Sequence, residues 1–149
     1  MSEHHAQVRW QRTSATFTYD AYNRAHEVLF KSGEVVLPGS AAPAFKGDAE
    51  RVDPEEAFVA SLSACHMLSF LAIAARKRLV VNSYRDDVVG YLEKGSNGKL
   101  QMTRVILRPC VIFAEDQADA VLREIHHLAH ETCFIANSVT TSVAVEPQS

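Results

Sequence analysis

The run from Ala57 to Ala75, AFVASLSACHMLSFLAIAA, holds no charged residue and carries apolar side chains on nearly every helical face. An amphipathic helix needs one covered stripe, whereas a helix that is apolar all round must be surrounded. The residues before it specify where it starts. Asp53 is a good N-cap, Pro54 suits the first helical position, and Glu55 and Glu56 oppose the positive end of the helix dipole. Arg76, Lys77 and Arg78 complement the other end, so the spacing predicts a helix over residues 54–78. The run is nearly long enough to cross a bilayer, but Ser61, Ser63, His66 and Ser69 interrupt it and favour a buried core helix.

Covering such a helix raises a problem of supply. The 149 residues suit one domain, 1–149, which leaves few elements to enclose it. A homodimer solves the problem; a monomer that wraps its own sheet around the helix is the alternative.

The flanking segments read as strands. QVRWQR is a strand that TFTYDAYN continues across a turn, and RAHEVLF and VVLPG form a hairpin with Gly33 in its turn. Residues 38–54 are rich in Gly, Pro and Ala and read as a loop. VVNSYRDDVVGYLEK and KLQMTRVILRPCVIF flank the turn GSNG, with Val105, Leu107 and Pro109 alternating inward. EDQADAVLREIHHLAHETC is a second helix with Val121, Leu122, Ile125 and Leu128 on one stripe, and SVTTSVAVE is a closing strand. The fold class is α+β with mostly antiparallel sheet.

A net charge of −3, with no basic run beyond Arg76–Arg78, gives no footprint for nucleic acid. The first residues lack a charged-then-apolar leader pattern, and three cysteines make an odd count. A reducing cytosol, with no membrane partner, is the expected setting, and a cysteine kept there serves catalysis, redox chemistry or a metal more often than a disulfide framework.

Cys65 lies mid-helix, where a thiol in apolar surroundings is inert unless a cation is brought to it. On its own it reads as a small core residue first, since free cysteine is common in cores. Cys133, near the end of the second helix, is a possible resolving partner; Cys110 reads as strand packing. His126, His130 and Cys133 fall on one helical face and offer a metal-binding alternative, with Cys65 and His66 as distant ligands. Arg24 and Glu55 read as solvated charges or as a pair.

Taken together, DPEEAFVASLSACHMLSFLAIAARK, HETCFIANSV and YNRAHEVLF resemble the two cysteine segments and the arginine segment of the OsmC/Ohr family (osmotically inducible protein C and organic hydroperoxide resistance). The resemblance implies an intertwined α+β homodimer with antiparallel sheets wrapped around two long central helices. It implies thiol-dependent reduction of organic hydroperoxides to alcohols, with sites at the subunit interface and no cofactor. By position it makes Cys65 the attacking thiol, Cys133 the resolving thiol that forms a Cys65–Cys133 disulfide, and Glu55 the partner of a thiolate-stabilising arginine. Arg24 is the candidate, with Arg9, Arg12 and Arg51 as substitutes. An external dithiol, of the lipoyl type in that family, resets the cycle. Two departures place the chain in the broader OsmC-like branch: no proline follows Cys133, and His66 follows Cys65. The rival function is a non-catalytic module that binds an apolar ligand.

Overall fold

The computed structural model describes every residue from Met1 to Ser149. Its backbone forms two compact units, Met1–Ala57 and Phe58–Ser149.

In the first unit, β1 (Gln7–Arg9), β2 (His26–Phe30) and β3 (Val35–Gly39) form an antiparallel sheet in that order. The β2–β3 hairpin closes through Lys31, Ser32 and Gly33, all at positive φ. Only the glycine adopts that conformation without strain. TFTYDAYN does not continue β1 as expected. Its backbone turns, with the Ala21 and Tyr22 N–H groups both donating to the Thr18 carbonyl. Asn23 holds the returning chain: its side chain accepts from the Thr13 N–H at 2.9 Å and donates to the Gln11 carbonyl at 2.9 Å. An asparagine that bonds two backbone groups offers an alternative to a strand ladder, and here it prevails.

Helix α1 spans Pro54–Arg76. Its start is a reciprocal capping box built on the expected Asp53 cap. The Glu56 N–H donates to Asp53 Oδ1 at 2.8 Å, and the Asp53 N–H donates to Glu56 Oε2 at 3.2 Å. Its end comes two residues before the expected one. Arg78 enters the left-handed region at φ 61°, the Leu79 N–H bonds the Ala74 carbonyl and the Arg78 N–H bonds the Ala75 carbonyl. That is a Schellman stop built without glycine.

In the second unit, β4 (Val81–Asp86) pairs antiparallel with β7 (Pro109–Phe113), and β5 (Val89–Lys94) pairs antiparallel with β6 (Leu100–Leu107). β8 (Ser142–Val145) joins β6 in parallel, the exception to the antiparallel expectation. Arg108 breaks the long strand at the change of sheet, where Asp86 Oδ1 accepts its N–H at 2.6 Å. Val105, Leu107 and Pro109 are buried, as their alternation predicts.

α2 (Asp119–Thr132) packs Ile125 and Ala129 against Phe70 and Ala74 of α1, with β4 and β7 contributing Val81, Tyr84, Val111 and Phe113. A second cluster joins Leu62 to Val105 and Leu107. The chain itself buries only one stripe of α1: Leu62, His66, Phe70 and Ala74. The opposite stripe, Ala60, Ala64, Leu68, Ala72 and Ala75, stays exposed, with Leu68 at 63%. The expectation of a helix surrounded on most sides is therefore not met by one chain. By length and composition α1 also passes as a membrane span, as the core helices of soluble proteins do.

Candidate active site

Cys65 lies in the middle of α1, half-buried, between the buried stripe and the exposed one. Cys133 is the C-cap of α2 and is 1% exposed. The fold brings the two thiols close enough for Cys65 to act on the Cys133 thiol, although 68 positions separate them in sequence. Both are free thiols. Burial pushes the Cys133 thiol up to about 11; the N–H groups of Ala136 and Ile135, bonded to its sulfur, oppose that rise, and the neighbouring Cys65 adds to it. Cys133 is therefore a thiol at neutral pH.

Cys65 opens on a groove of about 430 Å³. Leu68, Ala72, Ile73 and Phe134 supply apolar walls, with Ser69 and Thr132 between them. Arg76 lines the same groove three helical turns along from Cys65. Sequence reasoning assigned Arg76 only to the helix dipole. Positions 65, 69, 72 and 76 follow helical spacing, which is the signal that places all four on one face.

The candidate arginines all lie in the first unit. Arg24 donates to the carbonyls of Tyr19 and Tyr22, and its guanidinium lies 3.7 Å from the Tyr22 ring centroid and 5.0 Å from that of Tyr19. It makes no ion pair with Glu55. Arg24 lines a hollow of about 400 Å³ with Trp10, Phe17, Tyr22 and His26. Arg9 pairs with Glu27 at 3.2 Å, Arg12 bonds the Ser14 and Ala15 carbonyls, and Arg51 is tied to the carbonyls of Gly39 and His26. Arg24 is the one among them that combines a place in a cavity with aromatic stacking.

The histidines do not gather as a metal site. His126 turns into the core and bonds His66, His127 faces outward beside Glu131, and no three His, Cys, Asp or Glu side chains stand together as ligands. Cys110 lies half-buried in β7, as the packing reading expects. The His66–His126 contact is the feature the sequence did not announce, because the two residues are 60 positions apart.

The fold is similar to that of solved proteins along its whole length. An OsmC-like protein of unknown function from Vibrio cholerae is 49% identical, with 99% of this chain and all of that one aligned at a TM-score of 0.93. Organic hydroperoxide resistance proteins from Elizabethkingia anophelis (14% identity, 98% and 95% of the two chains, TM-score 0.71) and Bacillus subtilis (19%, 97% and 98%, TM-score 0.66) share the fold. A search of curated proteins gave no match. The model of the family described as OsmC-like protein matches residues 47–148, a stretch that holds α1, the Cys65 groove and Cys133. By that match the chain belongs to the OsmC-like protein family.

Proposed function

We propose that this protein is a thiol-dependent peroxidase that reduces organic hydroperoxides in a reducing cytosol. The observation that carries the reading is the closeness of a half-exposed Cys65, opening on an apolar groove, to a buried Cys133 that stays protonated. Two neighbouring cysteines with unequal access to the groove divide naturally into an attacking and a resolving thiol.

The Cys65 thiolate attacks the distal oxygen of ROOH. The O–O bond breaks, Cys65 becomes a sulfenic acid and RO⁻ leaves, taking a proton to become the alcohol. Cys133 then attacks the sulfenic sulfur, its S–H proton leaves with the hydroxyl as water, and the Cys65–Cys133 disulfide forms. An external dithiol, of the lipoyl type in this reading, gives two electrons and two protons to restore both thiols. The apolar walls favour alkyl hydroperoxides over hydrogen peroxide, each buried CH₂ contributing about 0.8 kcal/mol. Arg24 is the cation assigned to the thiolate, delivered in a homodimer whose interface covers the exposed stripe of α1, and Glu55, unpaired with Arg24 within one chain, is the partner this reading gives it there.

Initial rates with cumene hydroperoxide, tert-butyl hydroperoxide and hydrogen peroxide, each with a lipoyl-type dithiol and with a monothiol, test the reading. Turnover in that order of peroxides, with the dithiol preferred, is expected. No consumption of any peroxide would replace it with the apolar-ligand module.

A further inference from the structure

His66 is the one polar residue on the buried stripe of α1, set between Leu62 of one apolar cluster and Phe70 of the other. It is 1% exposed, and its partner His126 on α2 is 4% exposed. His66 Nε2 and His126 Nδ1 are 3.0 Å apart, the rings lie within 6° of parallel, and Phe70 packs on His126 at 4.5 Å. Only one proton fits between the two nitrogens while both rings are neutral. The remaining nitrogens, His66 Nδ1 and His126 Nε2, are buried without partners, as is His130 Nδ1. In either tautomeric arrangement one ring then holds an unpaired N–H and the other a bare acceptor.

Such a pair is a poor way to gain stability. Two apolar side chains of similar volume would fill the seam without orphaned polar atoms. What the hydrogen bond adds is direction: it admits one relative placement of α1 and α2, whereas an apolar contact admits several. Those two helices carry the thiols. His66 immediately follows Cys65, and His126 lies two turns before Cys133 on α2.

We infer that His66 and His126 are positioning residues, a polar tie that fixes α2 against α1 so that Cys133 meets Cys65. The inference rests on the two-cysteine cycle proposed above. The tie leaves the attack on peroxide alone and sets how readily the disulfide closes. It also makes closure sensitive to acid, because a proton added to either ring places a charge in the core. The other titratable groups on the packed elements are His130 on α2, which bears on His66, the buried Tyr84 hydroxyl on β4, and the two thiols themselves. Burial first, then His126 and His130, lowers His66 to about 4, and burial lowers His126 to about 4.

Two paired variants separate direction from mere bulk. His66→Leu/His126→Leu fills the seam and removes the bond. His66→Gln/His126→Asn keeps it, because the amide groups reach the places of Nε2 and Nδ1. The Cys65–Cys133 equilibrium is read by thiol counting in a dithiothreitol redox buffer, which needs no peroxide. The Leu pair should disfavour the disulfide about tenfold or more, while the Gln/Asn pair stays within about threefold of the parent, since small misplacements of reacting groups cost large factors. With one equivalent of cumene hydroperoxide, the Leu pair should attack at the parent rate but keep its sulfenic acid longer, trapped by a dione reagent. Between pH 7 and pH 4 the parent's disulfide should weaken and that of the Gln/Asn pair should not, which reads out the tie even if the Leu pair fails to fold. A disulfide equilibrium that is unchanged in a folded Leu pair overturns the inference, as does equal loss in both pairs or a flat pH profile in the parent. Failure of the peroxide arm alone would count against the peroxidase and leave the tie intact.

Discussion

Replacing Cys65 by serine exchanges sulfur for oxygen with little change of volume, so Cys65→Ser should fold normally and lose essentially all peroxide reduction. Cys133→Ser should keep the first attack, lose disulfide formation and over-oxidise at excess peroxide. Cys110→Ser should turn over normally. Non-reducing peptide mapping after one equivalent of cumene hydroperoxide checks the set, and a Cys65–Cys110 bridge would reassign the resolving thiol. The buried histidines give a second test at this scale. In the unfolded chain their rings titrate near 6.5, whereas the folded protein holds His66 and His126 near 4. The unfolded state then binds more protons between those values, so this contribution to stability is present above about pH 6.5 and is lost as pH falls toward 4. Each unit of lowering corresponds to about 1.4 kcal/mol. Urea midpoints from pH 7 to pH 4 should fall more steeply for the parent than for His66→Leu/His126→Leu; parallel curves would mean that the rings are already charged or are hydrated.

At the scale of elements, the start of α1 rests on the Asp53–Glu56 box, and Asp53→Ala should cost about 1 kcal/mol, seen as a lower urea midpoint with an unchanged slope. The Asp53 cap was legible because capping is local, whereas the return bond from the Asp53 N–H to Glu56, read in the sequence only as a helix-dipole residue, was not. Strand alternation was legible for the same reason at Val105, Leu107 and Pro109. The turn at residues 14–22 was not, because Asn23 decides it through bonds to Gln11 and Thr13, which no periodicity encodes. Nor was the end of α1, since a left-handed cap at Arg78 breaks the preference for glycine there. The site divides along the same line. Cys65 and Cys133 were visible as residue types in family-like segments, whereas the His66–His126 tie arises only when α1 and α2 pack.

The whole molecule must still cover the exposed stripe of α1, where Leu68 is 63% exposed, and Phe134 beside it, 80% exposed. A dimer of 16.5 kDa chains is expected by light scattering at micromolar concentration, and Leu68→Glu should shift it toward monomer by burying a charge in the interface. Dimerisation also bears on the arginine. Arg24→Met should slow the reaction of Cys65 with cumene hydroperoxide about a hundredfold, the scale of losing one charge-stabilising donor, and Glu55→Gln should slow it less. Mixing subunits then asks whose arginine serves whose thiol. Slow Arg24→Met and inactive Cys65→Ser chains, unfolded and refolded together, give about half heterodimers by random pairing. If Arg24 serves the thiol of the other subunit, each heterodimer regains one complete site, Arg24 from the Cys65→Ser chain facing Cys65 of the Arg24→Met chain. About a quarter of the parent activity should return, since half the dimers hold one working site of two. If Arg24 serves its own chain, both sites of the heterodimer stay broken. One then has the thiol without the arginine, the other has the arginine without the thiol, and no activity returns.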